Sequence, residues 1–286
     1  MNLLLAIAFF LFCGYWPDHI KPVINANQGD WVVLFNNKDL KGWDTYLGPL
    51  VNPATQQFVG TPLGLNNDPN KVFTVVNGID GPAIRISGEN FGGISTTQEF
   101  ADYHLQLKFK WGEVTWVPKK GKKRDSGVLY HCVGPHGADY GFWMRSQEFQ
   151  VQEGDCGDYW GVAGGVADVP AIKKSDSEYV YSQAGEKFHF AANSKTGRRC
   201  IKLVNAEKPN GEWNIIDIYC HGDTSVHMVN GKTVMVLYKN AQFDSTGERP
   251  LTRGKIQIQS EGAEVFYKDI RIQQISKIPG EAMKAE

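Results

Sequence analysis

Residues 103–110, YHLQLKFK, alternate apolar and polar side chains with the period of a strand. Tyr103, Leu105, Leu107 and Phe109 fall on one face. His104, Gln106, Lys108 and Lys110 fall on the other, so His104 is expected at the solvated surface. Residues 145–152, RSQEFQVQ, behave alike: Phe149 and Val151 share one side, while Glu148, Gln150 and Gln152 share the other. Comparable short runs recur about every ten residues, at 31–35, 73–76, 83–87, 93–97, 126–132, 188–192, 200–204, 213–220, 225–229, 233–239, 254–260 and 265–274, with little helical periodicity between them. That pattern predicts an all-β sandwich. Asn230-Gly231 predicts a tight hairpin, because both residues tolerate the positive φ of a type I′ turn. The Pro-, Gly- and Asn-rich span 48–71 reads as an irregular excursion forming one wall of a cleft.

Composition narrows the function more than the fold. The 286 residues carry a net charge of -1, which gives no electrostatic footprint for nucleic acid or an anionic membrane. The basic run Lys119, Lys120, Lys122, Lys123, Arg124 lies beside Pro118 and Gly121 and reads as a solvated loop. Eight Trp, eleven Tyr and fifteen Phe supply a core and also rings that can hold the apolar face of a sugar. Residues 3–13 are an apolar run of signal-peptide length, too short to span a bilayer, so 1–26 is read as an export leader and 27–278 as one domain. Cys13-Gly14 raises a lipoprotein acceptor, which Phe12 disfavours where a small residue is wanted. Cys132, Cys156, Cys200 and Cys220 permit two disulfides in three pairings. Cys200 and Cys220 could face each other, but buried free thiols are expected in a domain this large. Pro279-Gly280 opens a tail, 279–286, expected to be disordered.

The densest chemistry lies between Asp125 and Trp160. A strand face made of Glu148, Gln150 and Gln152 is solvated in most sheets. Here His131, Arg145, Glu153, Asp155 and Asp158 crowd the same segment, which points to a concave functional surface. Asp155 and Asp158 are read as caps of the tight GDCGD turn, and Trp43 as core.

Six motifs in order resemble the 3-keto-disaccharide hydrolase domain family. LFNNKDLKGW at 34–43 is similar to its opening LFNGKDLxGW, DSGVLY at 125–130 to its SGI strand, and EFQVQ at 148–152 to its ExQ strand. GEWN at 211–214, NGK at 230–232 and GKIQIQSEG at 254–262, followed by FYKDIRI at 266–272, complete the series. Glu261 stands where many members carry His, and GDCGDYW at 154–160 resembles one subgroup. The resemblance implies a concanavalin A-like jelly-roll of two antiparallel sheets, export in bacteria to the periplasm or beyond, and action on glycosides whose glucose is oxidised at C3.

Such a substrate sets its own requirements. A ketone at C3 acidifies the C2 proton, so a base can remove it and the C1 substituent can leave by β-elimination; re-addition of water gives net hydrolysis. The enzyme supplies a base, an enolate stabiliser and an acid for the leaving oxygen. Glu148 or His131 can be the base, while Arg145, Gln150, Gln259 or a divalent metal ion can hold the enolate. His131, Glu148 and Glu153 are the candidate ligands of such an ion. Trp143 and Trp160 are candidate sugar platforms, and Gln150, Gln259 and Glu261 candidate binding groups. Two other readings stay open. Glu148 and Glu153 reproduce the spacing of a laminarinase-type retaining pair if the strand bulges between them, and a non-catalytic carbohydrate-binding module would suit the same fold.

Overall fold

The computed structural model describes residues 29–285. Residues 1–26, expected to be a leader, and Cys13 among them lie outside the described residues. None of the described residues is helical, and none therefore forms a helix long and apolar enough to cross a membrane.

Two large antiparallel sheets carry the chain. The first runs in spatial order Glu178–Tyr181, Gly165–Ser175, Lys232–Asp244, Thr224–Val229, Asn214–His221, Tyr103–Thr115, Ala263–Gln274, Gly81–Ile86 and Phe73–Gly78. The second runs Arg199–Cys200, Tyr159–Val162, Arg145–Gln152, Asp125–Val133, Arg253–Ser260, Gly92–Thr96, Trp43–Leu47 and Gly64–Leu65. Strand order jumps repeatedly along the sequence, as in a jelly roll.

The core lies where the apolar faces of the two sheets meet. Leu105, Leu107, Phe109, Ile216, Ile218 and Ile272 from the first sheet join Val128, Phe149, Val151, Ile256 and Ile258 from the second in one buried cluster. Truncating a ring such as Phe149 to Ala there would cost about 3–5 kcal/mol, through lost transfer energy and the cavity left behind. Because Phe149, Val151, Ile256 and Ile258 point inward, Glu148, Gln150, Gln257 and Gln259 must point to the outer face. The apolar alternation thus places the polar one.

Several expectations are revised. His104 is buried, with Nε2 at 2.7 Å from Asp217 Oδ1 and its ring stacked on Tyr219 at 3.9 Å. Asp217 and Tyr219 of the neighbouring strand, with the Trp31 ring, cover it, while Gln106, Lys108 and Lys110 on the same face stay partly exposed. Cys200 and Cys220 lie in different sheets, and all four cysteines of the domain are free and buried. The span 48–71 contains three two-residue strands, Leu50–Val51, Phe58–Val59 and Gly64–Leu65. The tail expected to be disordered is folded through residue 285: Thr233 Oγ1 donates to Ala282 O, Ala282 is buried, and Met283 and Ala285 pack on an apolar cluster. The Asn230-Gly231 turn is as predicted, with φ of 50° and 81° between paired Val229 and Lys232.

Candidate functional site

On the outer face of the second sheet, antiparallel register lines polar side chains into rows. Leu129 stands opposite Glu148, Gly127 opposite Gln150, and Asp125 opposite Gln152. On the other side Val128 pairs with Ile258, which puts Gln259 beside Gly127. Gly127 is the hinge of this arrangement, since a Cβ there would collide with both Gln259 Oε1 and Glu148 Oε1. Its bare backbone lets those groups converge over the sheet. The result is a cleft of about 230 Å³.

Glu148, Gln150, Gln152, Asp125 and Gln259 form its floor, with Glu261 just beyond the Arg253–Ser260 strand. Trp143, Trp160 and Val162 supply apolar walls, and Lys119, Asp139, Arg198 and Arg199 complete the rim. Trp143 is fixed by Nε1 donating to Gly92 O at 2.9 Å. Arg198 and Arg199 lie 5.4 and 5.5 Å from the Trp160 ring, within cation–π range. Arg198 is held by Asp139 at 3.1 Å and Arg199 by Asp158 at 2.6 Å.

Three carboxyls share this small space with one ammonium. Lys119 bridges Asp125 and Glu261, and Gln152 Nε2 also donates to Asp125. Glu148 is only 6% exposed, and no hydrogen-bond donor among the described residues reaches its carboxyl. Burial above all, then Glu261 and Asp125, holds it well above the usual carboxylate range, against the pull of Arg198. Burial and Asp125 push Glu261 up to about 8 despite Lys119. Asp125 is raised by burial, with Lys119 opposing. Burial pulls Lys119 down, but Glu261 and Asp125 outweigh it, and the ammonium is held more firmly than usual. Like charges this close do not all ionise together, and Glu261, pushed up to about 8, keeps its proton at neutral pH.

The cleft also holds polar atoms without partners. Gln150 Oε1, Gln259 Oε1 and Asp125 Oδ1 are buried acceptors, and Trp160 Nε1 is a buried donor. Unsatisfied buried polar atoms cost stability, and at a cleft they mark where a ligand's own donors and acceptors fit. A set of acceptors backed by aromatic walls suits a polyol ring.

The structure assembles only some of the residues singled out from sequence. Glu148, Gln150, Gln259, Glu261, Trp143 and Trp160 line one cleft. His131 does not join them. A register shift between Tyr130 and Val133 and a φ of 54° at His131 turn its ring away from the cleft face. It is fully buried, packs edge-on to Tyr103 and Tyr130, and engages Leu251 O through Nδ1; burial takes its pKa down to about 4. Arg145 pairs with Asp244 at 3.0 Å and donates to Ala163 O, so it neither touches Glu148 nor faces an enolate site. Glu153 is bound by Arg124 at 2.8 Å and by Asn210, which takes it down to about 2.

Two sets of residues are therefore not brought together. The register from Asp125↔Gln152 to Tyr130↔Gln147 has no bulge, so Glu148 and Glu153 do not flank a common space as a retaining pair would. Nor do His131, Glu148 and Glu153 converge as metal ligands. Among the described residues no group of three His, Cys, Asp or Glu could hold a metal ion. Between Asp125 and Glu261, where a cation would sit, Lys119 already stands.

Asp158 is no turn cap: it is fully buried and anchors Arg199, the Lys202 amide and the Lys202 ammonium. Trp43 is in the core, as expected. Lys119, Asp125, Asp139, Arg198 and Arg199 were not foreseen. Lys119 in particular belongs to the cleft and not to a solvated loop. The doublet Arg198-Arg199 before Cys200 was the one local signal available, since two guanidiniums beside a buried strand need carboxylates nearby.

No curated protein matches this chain. Among solved structures, a "putative glycosyl hydrolase" from Parabacteroides distasonis ATCC 8503 is similar at 17% identity, with a TM-score of 0.47, over 87% of this chain and 94% of that one. The carbohydrate binding module CBM66 from Bacillus subtilis is similar at 11% identity and a TM-score of 0.42, over 81% and 95%. Bacillus licheniformis beta-glucanase is similar at 9% identity and a TM-score of 0.40, over 87% and 99%. A family model described as the 3-keto-alpha-glucoside-1,2-lyase-like domain matches residues 30–273, and the chain therefore belongs to that family.

Proposed function

We propose that this protein cleaves the glycosidic bond of 3-keto-glycosides by proton abstraction at C2, with Glu148 as the base. The observation that carries the reading is the Glu148 carboxyl itself: buried in the cleft, without a hydrogen-bond donor, and held well above the usual carboxylate range. A carboxylate so placed is a stronger base than one in water and is aimed at whatever fills the cleft. Membership of a carbohydrate-active family and the acceptor-rich, Trp-walled cleft support a sugar as that occupant.

In this reading Glu148 takes the C2 proton, the electron pair of that bond forms the C2=C3 enolate, and the negative charge collects on the C3 oxygen. Trp160 Nε1, Lys119 and the Arg198 guanidinium are the donors at hand for that oxygen. When the enolate collapses, the C1–O bond breaks and the leaving oxygen takes a proton. Glu261, raised to about 8 and so protonated at neutral pH, is the acid available. Gln150 and Gln259 accept from ring hydroxyls. At about 230 Å³ the cleft lies below the roughly 300–1,000 Å³ of ordinary ligand pockets, a scale that suits a single sugar ring.

Glu148→Gln tests the reading, because it keeps size and polarity but removes the base. Turnover should fall by about 10²–10⁴-fold with little change in sugar affinity. Retained turnover would shift the base elsewhere, and binding without turnover in the parent would favour a carbohydrate-binding module.

A further inference from the structure

Among the described residues, the unpartnered buried acceptors of the cleft are Gln150 Oε1, Gln259 Oε1 and Asp125 Oδ1, and its one unpartnered buried donor is Trp160 Nε1. An indole N–H can only donate, so an accepting atom of a ligand must complete it. Trp160 stands directly opposite Glu148 in the ladder between Arg145–Gln152 and Tyr159–Val162, and side chains so paired share a face. Neighbouring strands lie about 4.8 Å apart, and the Glu148 carboxyl leans the other way, over Gly127. A sugar lying across these strands therefore meets the carboxyl at one ring carbon and the indole at the oxygen of the next. The other donors are engaged: Lys119 bridges Asp125 and Glu261, and Arg198 holds Asp139 at 3.1 Å. Each brings a counter-charge into the cleft, whereas the indole brings none. Arg198 and Arg199 lie 5.4 and 5.5 Å from the Trp160 ring, and their charge favours an anion forming beside the indole. Fully buried Asp158 fixes Arg199 there.

We propose that the Trp160 indole N–H is the oxyanion donor of this site, holding the C3 oxygen as the ketone becomes the enolate. The inference rests on the reaction proposed above and chooses among its donors. As Glu148 takes the C2 proton, the C2–H electron pair becomes the C2=C3 bond and the carbonyl pair moves onto the C3 oxygen. The indole proton stays on its nitrogen. Its hydrogen bond strengthens as charge collects on the oxygen, so the donor stabilises the transition state more than the bound ketone. Unoxidised glucose carries a hydroxyl at C3 that gains no such charge, so the donor serves the keto sugar selectively.

Trp160→Phe tests the assignment, because it keeps an aromatic ring beside the guanidiniums and removes the N–H. With a methyl 3-keto-glucoside, kcat should fall by about 10²–10³-fold while KM stays within about threefold. The melting temperature should hold or rise, since a buried unpartnered donor is gone. A second measurement leaves Trp160 in place. In Glu148→Gln, where turnover is slow, the Trp160 indole proton resonance, assigned through the backbone, should move downfield with the methyl 3-keto-glucoside and far less with methyl glucoside. A kcat in Trp160→Phe within about threefold of the parent, or an indole resonance that both sugars move equally, would overturn the donor and leave Glu148 standing as the base. If the parent turns over no 3-keto-glycoside, the reaction fails and the resonance alone decides. A keto-selective shift then keeps the indole as the donor to the ketone, and equal shifts refute it.

Discussion

At the scale of single residues the account turns on Glu148, and its elevated pKa has consequences of opposite sign for activity and stability. The base must be ionised, so kcat/KM should rise as pH climbs through a value displaced well above 4.5. The acid must be protonated, so activity should decline again near pH 8, where Glu261 titrates. Glu261→Gln should remove that alkaline limb from the profile, and an unchanged limb would take Glu261 out of the role. For stability, a folded-state pKa raised above the unfolded value means the protonated form is favoured on folding. That contribution is present below about 4.5 and is lost as pH rises through the folded value. Glu148→Gln should therefore melt higher than the parent at pH 8, and the difference should shrink toward pH 5. Glu153 behaves conversely: held near 2 by Arg124, it contributes stability above about 4.5 that is lost as pH falls towards 2. Glu153→Ala should lower the melting temperature modestly, in keeping with the roughly 0–1 kcal/mol of a partly exposed pair, and leave kcat untouched.

At the scale of strands and loops, what alternation governs was legible and what register and loops govern was not. The face shared by Glu148, Gln150 and Gln152 follows from Phe149 and Val151 facing inward, and the same logic exposes Gln259 next to Ile258. His131 escaped it because the strand slips register between Tyr130 and Val133, a slip that no local pattern announces. Lys119, Asp139 and Arg198 arrive from loops far apart in sequence, so only the fold unites them with Glu148. The strand Gly165–Ser175 was missed because its small residues and Pro170 lack a β signature, and burial against neighbours forms it instead. Gly127→Ala tests the row arrangement. Its Cβ would push Glu148 and Gln259 apart, so kcat should drop by at least tenfold with a small change in melting temperature; normal activity would mean their convergence is irrelevant. The tail carries a further prediction. Truncation after Ile278 removes the partner of Thr233 and uncovers an apolar cluster, so the melting temperature should fall while turnover per folded molecule is preserved.

At the scale of the whole molecule, the sandwich separates stability from chemistry. One continuous core between the sheets holds the strands, and the outer face of the second sheet is left free to carry three carboxyls, a lysine and two unpaired amides whose mutual costs that core absorbs. All-β architecture was evident from spacing alone, and six ordered motifs pointed to the family whose model matches residues 30–273. The near-zero net charge fits a neutral sugar better than a polyanion. The most direct test of the central claim is product NMR on a 3-keto-glucoside beside its unoxidised parent, with the purified protein and its Glu148→Gln variant, in the presence and absence of a chelator. The account predicts release from the keto compound alone, slowed by about 10²–10⁴-fold in Glu148→Gln and indifferent to the chelator. Cleavage of the unoxidised sugar, or full activity in Glu148→Gln, would contradict it.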